Sequence, residues 1–289
     1  MTTVSCIIMG GLGNQLFQIF TTFAYSLKYN KKIILPYSLN NCNRRNTYWD
    51  TILSSFKKYT TNNPNCHFTD NQLFKFEQYK EKEHHYIKIP EFVNNNILFY
   101  GYFQSPKYFE EQIDKIFDLL NLEEKKEEIR KEFPNYHTEN STFISMHFRL
   151  GDYKFLQNIH PIISYEYYYN SLSYILCFID IKKKYTILYF CEEEDNHIIN
   201  PIINKLSYTF PIFTFIKVDD NIKDWQQLLI MSNCQYNIIA NSTFSWWGAY
   251  FNNNNDKIVC YPSIWFGPSL NDKKITDMFP IDWVEISNV

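Results

Sequence analysis

The sequence has no surplus of basic residues. Its 289 residues include 28 lysines and arginines against 31 aspartates and glutamates, which gives a net charge of −3. Proteins that bind nucleic acid without sequence preference neutralise phosphates with excess lysine and arginine. The composition therefore excludes a nucleic-acid partner of that kind.

Long apolar runs are absent as well. No stretch reaches the roughly 18 apolar residues of a membrane-spanning helix. The first fifteen residues contain no basic segment and only a very short apolar run, unlike a secretory signal peptide. We therefore expect a cytoplasmic protein without a transmembrane segment.

No two cysteines form a Cys-x-x-Cys pair, and their number, seven, is odd. Most of them lie within apolar runs. This pattern predicts buried, reduced thiols in place of a disulfide framework or a structural zinc site. The cysteines are Cys6, Cys42, Cys66, Cys177, Cys191, Cys234 and Cys260.

What the sequence does contain is the pattern of a packed α/β protein, with 45% hydrophobic and 20% charged residues. A short β-branched run at 4–9 ends in glycines, and apolar residues at helical spacing follow at 14–28. A second strand is predicted at 32–35. Strand, glycine turn, helix and strand in this order open an α/β unit with a parallel sheet.

A second α/β series follows a mixed-charge run at 123–132, which we predict to be a solvated helix face. The boundary is placed near this run, which gives an N-terminal domain, 1–138, and a C-terminal domain, 139–289. The fold class expected is α/β, with two Rossmann-type doubly wound domains facing a cleft. Further strands are predicted at 97–102, 141–148, 185–191, 212–218, 236–240 and 258–261, and further helices at 106–121, 165–178, 224–233 and 245–251.

The candidate binding residues follow predicted strands, where ligands of open parallel sheets bind. In the first such segment, Gly11 and Gly13 permit close backbone approach, and the helix start offers N–H groups to a phosphate. The turn lacks the third glycine of a G-x-G-x-x-G motif, which disfavours NAD. A turn without a ligand is the alternative.

The second segment, at 147–153, reads HFRLGDY. His147 and Arg149 are two residues apart and share one face of the strand. Arg149 can hold a diphosphate through two hydrogen bonds, Gly151 permits a turn, and Asp152 can orient the guanidinium. A surface ion pair between Arg149 and Asp152 is the alternative.

The third segment, at 241–248, reads NSTFSWWG after a predicted apolar strand. Its serine and threonine hydroxyls and its backbone N–H groups stand at a helix start, a geometry that suits phosphate. Phe244, Trp246 and Trp247 either line a pocket or pack, and for the tryptophans packing is favoured.

The fourth segment is the acidic run at 192–195. Its acids can bind a metal, act as a general base, contact the nucleobase or the ribose of a nucleotide, or form a solvated loop. The sequence has no Asp-x-Asp motif, and Glu193 with Asp195 comes nearest to one.

Together these segments resemble the α-1,2-fucosyltransferases of glycosyltransferase family 11. The similarity is carried by GGLGNQLFQ at 10–18, HFRLGDY at 147–153, FCEEE at 190–194 and the stretch at 228–251. It covers nearly the whole chain, and the segments occur in the same order as in the family. It implies a GT-B fold, an inverting mechanism, GDP-β-L-fucose as donor, a galactoside or similar glycan as acceptor, and no metal or other cofactor.

The resemblance implies that Arg149 holds the donor diphosphate, that the hydroxyls at 242–245 line it, and that Asn14 faces the cleft. Leu150 departs from the family, where a second arginine is frequent, and Glu192 and Glu193 replace aspartates. The candidate catalytic residues are Asn14, His147, Arg149 and Asp152. The candidate donor-binding residues are Gly11, Gly13, Asn14, Arg149, Glu193, Asn241, Ser242, Thr243, Phe244 and Ser245.

Three points stay open at this stage. The base that takes the acceptor proton is not identified, with Asp152 and the acids at 192–195 as candidates. The acceptor is not identified either, and residues 40–110 are expected to shape its site on the N-terminal domain. Another nucleotide sugar, a non-catalytic carbohydrate-binding protein and a disfavoured NAD-dependent oxidoreductase are the alternatives. A Golgi type II membrane protein is not expected.

Overall fold

The computed structural model describes residues 2–41, 45–138 and 141–288. The chain divides into two compact units, Met1–Lys125 with Lys273–Pro280, and Lys126–Asp272 with Ile281–Val289. Cys42 and residue 139, the predicted start of the second domain, lie outside the described residues.

The first unit contains the strands β1 (Thr3–Cys6), β2 (Lys32–Ile33), β3 (Glu77–Lys80) and β4 (Ile97–Tyr100), and the helices α1 (Leu12–Lys28), α2 (Asp70–Leu73) and α3 (Ile113–Leu120). The strands form a four-stranded parallel sheet in the order β2-β1-β4-β3. Helix α1 is buried along most of its length, because phenylalanines recur at helical spacing on the side that packs.

Helix α4 (Leu122–Glu132) contains the division between the two units, whereas the boundary predicted from the sequence follows residue 138. Lys126, the first residue of the second unit, is 1% exposed, and its Nζ donates to the carbonyl oxygen of Phe251 and to Asn253 Oδ1. Arg130 bonds Asn233 within the same unit. The predicted solvated face is therefore wrong at Lys126, whose charge is buried among backbone and amide oxygens.

The second unit contains the strands β5 (Thr142–His147), β6 (Tyr185–Phe190), β7 (Phe213–Lys217), β8 (Tyr236–Ile238), β9 (Val259–Pro262) and β10 (Val284–Ile286). They form a six-stranded parallel sheet in the order β10-β9-β8-β5-β6-β7. When the strands are numbered from β5 and the order is taken from the β7 edge, this is the 3-2-1-4-5-6 strand order of a Rossmann fold. The helices are α5 (Tyr165–Leu176), α6 (Asn196–Thr209), α7 (Asp224–Ser232) and α8 (Thr243–Tyr250).

The central strands of this sheet are buried along nearly their whole length because both of their faces are covered. All six residues of β6 are buried, as are the last five of β5. The predicted fold class, α/β with two Rossmann-type domains of the GT-B kind, is confirmed by the two parallel sheets with their helices. Within the described ranges, no helix combines the length and the apolar character that crossing a membrane requires.

Several elements differ from the prediction. Three elements, namely β3, α6 and β10, are absent from the prediction. Strand β3 has mostly exposed side chains, and β10 has only three residues. In α6 the buried residues Ile199, Ile203 and Leu206 recur at helical spacing, but Pro201 lies inside the helix. The predicted helix at 106–121 is interrupted, with 3₁₀ turns at Pro106–Tyr108 and Glu110–Gln112 before α3 begins.

The described cysteines are all free. Cys6, Cys191, Cys234 and Cys260 are buried as predicted. Cys66 is half-buried and Cys177 is exposed, so burial is wrong for Cys177, which follows the carboxyl end of α5.

Candidate functional site

The second and third candidate segments leave the sheet of the second unit at neighbouring strands. His147 ends β5, and the segment that begins at Asn241 follows β8. The two strands pair in parallel, with Met146 opposite Ile238, so both segments emerge at the same edge. The strand order reverses between β5 and β8, and such a switch point is where open α/β sheets bind ligands.

The His147 side chain is buried at this edge. Burial, and then the charge of Arg149, lower its pKa to about 3, so the imidazole is neutral at physiological pH. Its ring centroid lies 5.6 Å from that of Phe244 in the first turn of α8. Among the described residues, none makes a hydrogen bond with its Nδ1. The imidazole can therefore bind a polar ligand atom, but it is a weak proton acceptor.

Arg149 forms ion pairs with Asp152 and with Glu192, one through each terminal guanidinium nitrogen. Burial acts to lower its pKa, but the two carboxylates outweigh burial and raise the pKa above its usual value. Its Cζ also lies 5.0 Å from the ring centroid of Tyr153. The side chain is 25% exposed. The guanidinium is thus fixed, charged and partly open to solvent.

The ion pair proposed as the alternative for Arg149 is therefore present. It does not exclude a bound anion, because two hydrogen bonds use only part of the fork of N–H donors on a guanidinium. The two carboxylates fix the orientation of the guanidinium plane.

Gly151 has φ of +39°, a backbone conformation that side chains disfavour. A Cβ at this position would lie 2.9 Å and 3.0 Å from the carboxylate oxygens of Glu192. The N–H of Gly151 donates to Asp195 Oδ2 at 2.9 Å. Glycine is required here because the turn brings its backbone against the carboxylate that holds Arg149.

Glu192, Glu194 and Asp195 have carboxylate oxygens within 4.8 Å of one another, which is suitable donor chemistry for a metal ion. Each of them is also paired with a cation. Lys154 Nζ lies 2.7 Å from Asp195 and 3.3 Å from Glu194, and Glu192 pairs with Arg149. Asp195 is fully buried, and the cluster anchors both cations.

Glu193, predicted to contact the donor, is exposed and begins the 3₁₀ turn Glu193–Asp195. Glu192, which precedes the turn, contacts Arg149, and the other two residues of the turn contact Lys154. The structure therefore brings Glu193 to the same edge of the sheet without attaching it to the arginine.

Asn241 is 1% exposed, and its Nδ2 donates to the carbonyl oxygens of Pro161 at 2.8 Å and Trp265 at 3.2 Å. Its Oδ1 is buried and makes no hydrogen bond with any residue that the structure describes. A buried acceptor without a donor is costly. Asn241 Oδ1 and His147 Nδ1 are thus two buried polar atoms at the switch point without a hydrogen bond to a described residue.

Ser242 caps helix α8, since its Oγ accepts from the N–H of Phe244 at 3.3 Å. The Ser245 hydroxyl donates to the Ser242 carbonyl oxygen at 3.3 Å and is buried. Thr243 is the first helical residue. Helix α8 thus begins earlier than predicted, and its first turn supplies N–H groups and a partial positive charge beside His147.

Trp246 and Trp247 are fully buried. Trp246 stacks on Tyr250, with ring centroids 4.6 Å apart and planes inclined by 16°, and contacts Trp283. The packing interpretation of the two tryptophans is therefore confirmed.

Two lysines missed by the sequence analysis hold the carboxyl end of α8. Lys257 Nζ donates to the carbonyl oxygens of Ala249 at 3.2 Å and Asn252 at 2.6 Å, and Lys126 Nζ donates to that of Phe251 at 3.1 Å. Cations stabilise the carbonyl end of a helix. Helix α8 is therefore fixed at the end away from the switch point.

The first candidate segment belongs to the first unit. Gly10 has φ of +74°, Gly11 is the N-cap of α1, and Gly13 is buried in the first turn. Asn14 Oδ1 accepts from Gln104 Nε2 at 2.9 Å. The segment follows β1, at the carboxyl ends of its sheet.

Two glutamines of this segment, which sequence reasoning passed over, fix its shape. Gln15 Nε2 donates to the carbonyl oxygens of Gly10 and Asn46, at 3.0 Å and 2.8 Å. Gln18 bonds both backbone groups of Met9, at 2.8 Å and 3.2 Å. Both side chains are fully buried, a position that glutamine occupies only when hydrogen-bonded. The two glutamines are three residues apart in GNQLFQ, a helical spacing that places both on one side of α1.

The chain is similar to several known proteins. The family model described as Glycosyl transferase family 11 matches residues 3–287. An Alpha-1,2-colitosyltransferase of Escherichia coli is 28% identical over 313 residues, covering 99% of this chain and 99% of that protein. The O-antigen biosynthesis glycosyltransferase WbnK of Escherichia coli is 27% identical, covering 94% of this chain and 97% of that one. The solved structure of POFUT1 in complex with GDP-fucose has a TM-score of 0.49 at 11% identity, covering 90% and 97%.

Proposed function

Since the chain belongs to glycosyltransferase family 11 and is a glycosyltransferase, we propose that it transfers L-fucose from GDP-β-L-fucose to a sugar hydroxyl. The linkage proposed is α-1,2 on a galactoside or similar glycan, formed with inversion. The family membership overturns two alternatives, the non-catalytic carbohydrate-binding protein and the NAD-dependent oxidoreductase. We assign the donor to the second unit and the acceptor to the first.

The observation that carries this proposal is the position of Arg149. It follows β5 at the switch point, remains charged, and is held by Asp152 and Glu192. The start of α8 lies at the same edge, as the contact between His147 and Phe244 shows. A fixed cation beside a helix N-terminus is suited to bind a diphosphate.

In the proposed reaction, the acceptor hydroxyl oxygen attacks the anomeric carbon. The bond between that carbon and the β-phosphate oxygen breaks, GDP leaves with the electron pair, and the acceptor hydroxyl releases its proton to solvent as the new bond forms. Negative charge grows on the diphosphate as the bond breaks, so Arg149 and the N–H groups of α8 lower the barrier. Loss of one such preorganised donor costs ~10²–10³ in rate.

The unsatisfied polar atoms have a role in this scheme. We assign Asn241 Oδ1 as an acceptor for a hydroxyl or N–H group of the donor, and His147 Nδ1 as a neutral contact to the same ligand. Asp152 orients Arg149 and does not act as the base, because its carboxylate is already paired with the guanidinium.

A colitosyl donor is the second candidate. It is favoured by the 28% identical relative, whose name is Alpha-1,2-colitosyltransferase. Colitose lacks one ring hydroxyl of L-fucose, so both GDP-sugars present the same diphosphate to Arg149 and differ only at the sugar.

The test is a transfer assay with GDP-fucose, GDP-colitose, GDP-mannose and UDP-sugars as donors and a set of galactosides as acceptors, followed by linkage analysis. Calorimetry with GDP and UDP supplies a measurement independent of the acceptor. We expect GDP binding and transfer of fucose. Selective UDP binding would refute the guanosine donor, and transfer from GDP-colitose alone would replace fucose by the second candidate.

A further inference from the structure

The turn after β4 in the first unit holds a residue in an unfavourable backbone conformation. Phe103 has φ of +52° although it carries a large side chain, and that side chain is 1% exposed. Such a conformation costs about 1–3 kcal/mol and persists only where the surroundings impose it. Contacts that impose it are therefore expected.

Glu81 supplies those contacts. It directly follows β3, the neighbour of β4, and its Oε2 accepts from the N–H of Tyr102 at 2.7 Å. Its Oε1 accepts from the N–H of Phe103 at 2.9 Å. A Cβ on Gly101 would overlap the Glu81 side chain, so glycine is needed for this approach. One carboxylate thus holds two successive N–H groups of the turn.

The turn fixes the position of Gln104, which follows Phe103. Its side chain is mostly buried, and its Nε2 donates to Asn14 Oδ1 at 2.9 Å. A carboxamide whose oxygen is held on one side directs its NH₂ group to the other. The contact therefore sets the orientation of the Asn14 amide in the first turn of α1.

We propose that Glu81 is a positioning residue for glycosyl transfer, which through the turn at 101–105 fixes Gln104 and so directs the Asn14 NH₂ group toward a substrate oxygen. The inference rests on the proposed function, because Asn14 is one of its candidate substrate contacts. It adds a carboxylate and an amide that none of the sequence motifs contains. Glu81 itself does not touch the substrate.

The experiment compares Glu81→Gln with Glu77→Gln, a matched change at the start of the same strand. Glu77 is exposed and bonds the Asn95 side chain. In Glu81→Gln, one N–H of the turn faces an NH₂ group and loses its acceptor. We expect kcat to fall about 10- to 100-fold, the size of effect produced by small misplacements. The GDP affinity of Glu81→Gln should equal that of the wild type. The kcat of Glu77→Gln should also equal that of the wild type.

A double-mutant cycle distinguishes positioning from general destabilisation. If Glu81 acts through Asn14, Glu81→Gln should cost little further activity in the Asn14→Ala background. Gln104→Met leaves the bonds of Glu81 intact, and it should reproduce the loss even if Glu81→Gln folds poorly. Equal costs of Glu81→Gln in both backgrounds, or full activity of Gln104→Met, would overturn the proposal.

Failure of the proposed function gives a different result. A wild-type protein that transfers no sugar would remove the basis of the positioning role together with the function. A wild-type protein that transfers sugar, with no coupling between residues 81 and 14, would overturn the positioning role alone.

Discussion

The hydroxyl of Tyr153 donates a hydrogen bond to the carbonyl oxygen of Asn241, 3.2 Å away, and joins the segment after β5 to the segment after β8. The same ring lies under the guanidinium of Arg149 and stacks on His160, with ring centroids 4.6 Å apart. Tyr153 therefore connects the arginine to the turn that begins α8, across the switch point of the sheet.

Tyr153→Phe should weaken GDP binding by about 2- to 10-fold, because it removes a hydrogen bond with a net value of about 0.5–1.5 kcal/mol and keeps the ring. Tyr153→Leu should cost more, since it also removes the contact with Arg149. Calorimetry measures both, with Tyr169→Phe on the exposed side of α5 as the control. Unchanged affinity in Tyr153→Leu would show that the ring does not support the site.

Arg149→Ala should fold but lose GDP binding and ~10²–10³ in turnover, because a preorganised donor to the diphosphate is removed. Arg149→Lys should recover only part, since a lysine cannot reproduce the planar fork. Arg130→Ala is the matched control, because Arg130 in α4 pairs with Glu127 and donates to Asn233, which follows α7. If wild type and Arg149→Ala bind GDP with the same affinity, Arg149 does not bind the diphosphate.

Gly151→Ala should destabilise the protein by about 1–3 kcal/mol, because alanine at a positive φ is strained and its Cβ meets the Glu192 carboxylate. In the background of Glu192→Ala the steric part of this cost should disappear. Urea unfolding of the four proteins of this cycle measures the difference. Equal costs in both backgrounds would contradict the crowding between the two residues.

His147 should make the free energy of unfolding depend on acidic pH. Its folded pKa, about 3, lies below the unfolded value near 6.5, so between these values the unfolded chain binds more protons. Stability should therefore fall as pH decreases through this window, by at most about 1.4 kcal/mol per pH unit from this residue. His147→Phe should flatten the dependence, and NMR should show a neutral imidazole at pH 5. A protonated ring there would contradict the burial argument.

Removal of metal ions should leave activity intact. The carboxylates of Glu192, Glu194 and Asp195 are already paired with Arg149 or Lys154, so the charge of the diphosphate is assigned to protein groups. The measurement is transfer after dialysis against EDTA, with and without added Mn²⁺. Activity that is lost and then restored by Mn²⁺ would instead assign the acidic cluster to a metal.

The parts of the fold that follow from local pattern are predictable from the sequence. Helix α1 and strands β5 and β6 combine strong periodicity with apolar runs, and the candidate residues follow from their places at strand ends. Contacts distant in sequence are not predictable in this way. Glu81 bonds a turn more than twenty residues ahead, and the sequence of β3 has no pattern that predicts its pairing with β4.

Buried charged side chains are the second feature that cannot be predicted from the sequence. Lys126 lies in a run whose alternating charges are typical of a solvent-facing helix, yet its ammonium group is enclosed by oxygens of a segment far along the chain. Asp195 is similar, since its burial depends on Lys154 and on the Gly151 N–H. Composition cannot predict which charge of a run finds such partners.

The polypeptide passes from the first unit to the second and back, because the late segment Lys273–Pro280 belongs to the first unit. Within that segment, Asp277 accepts hydrogen bonds from Ser105 at its carbonyl oxygen and from Lys107 at its side chain. Neither half can therefore be excised as one uninterrupted polypeptide. A fragment that stops at residue 125 or 138 lacks the residues that secure the turn after β4, so separate production of the halves requires a circular permutation or a designed splice.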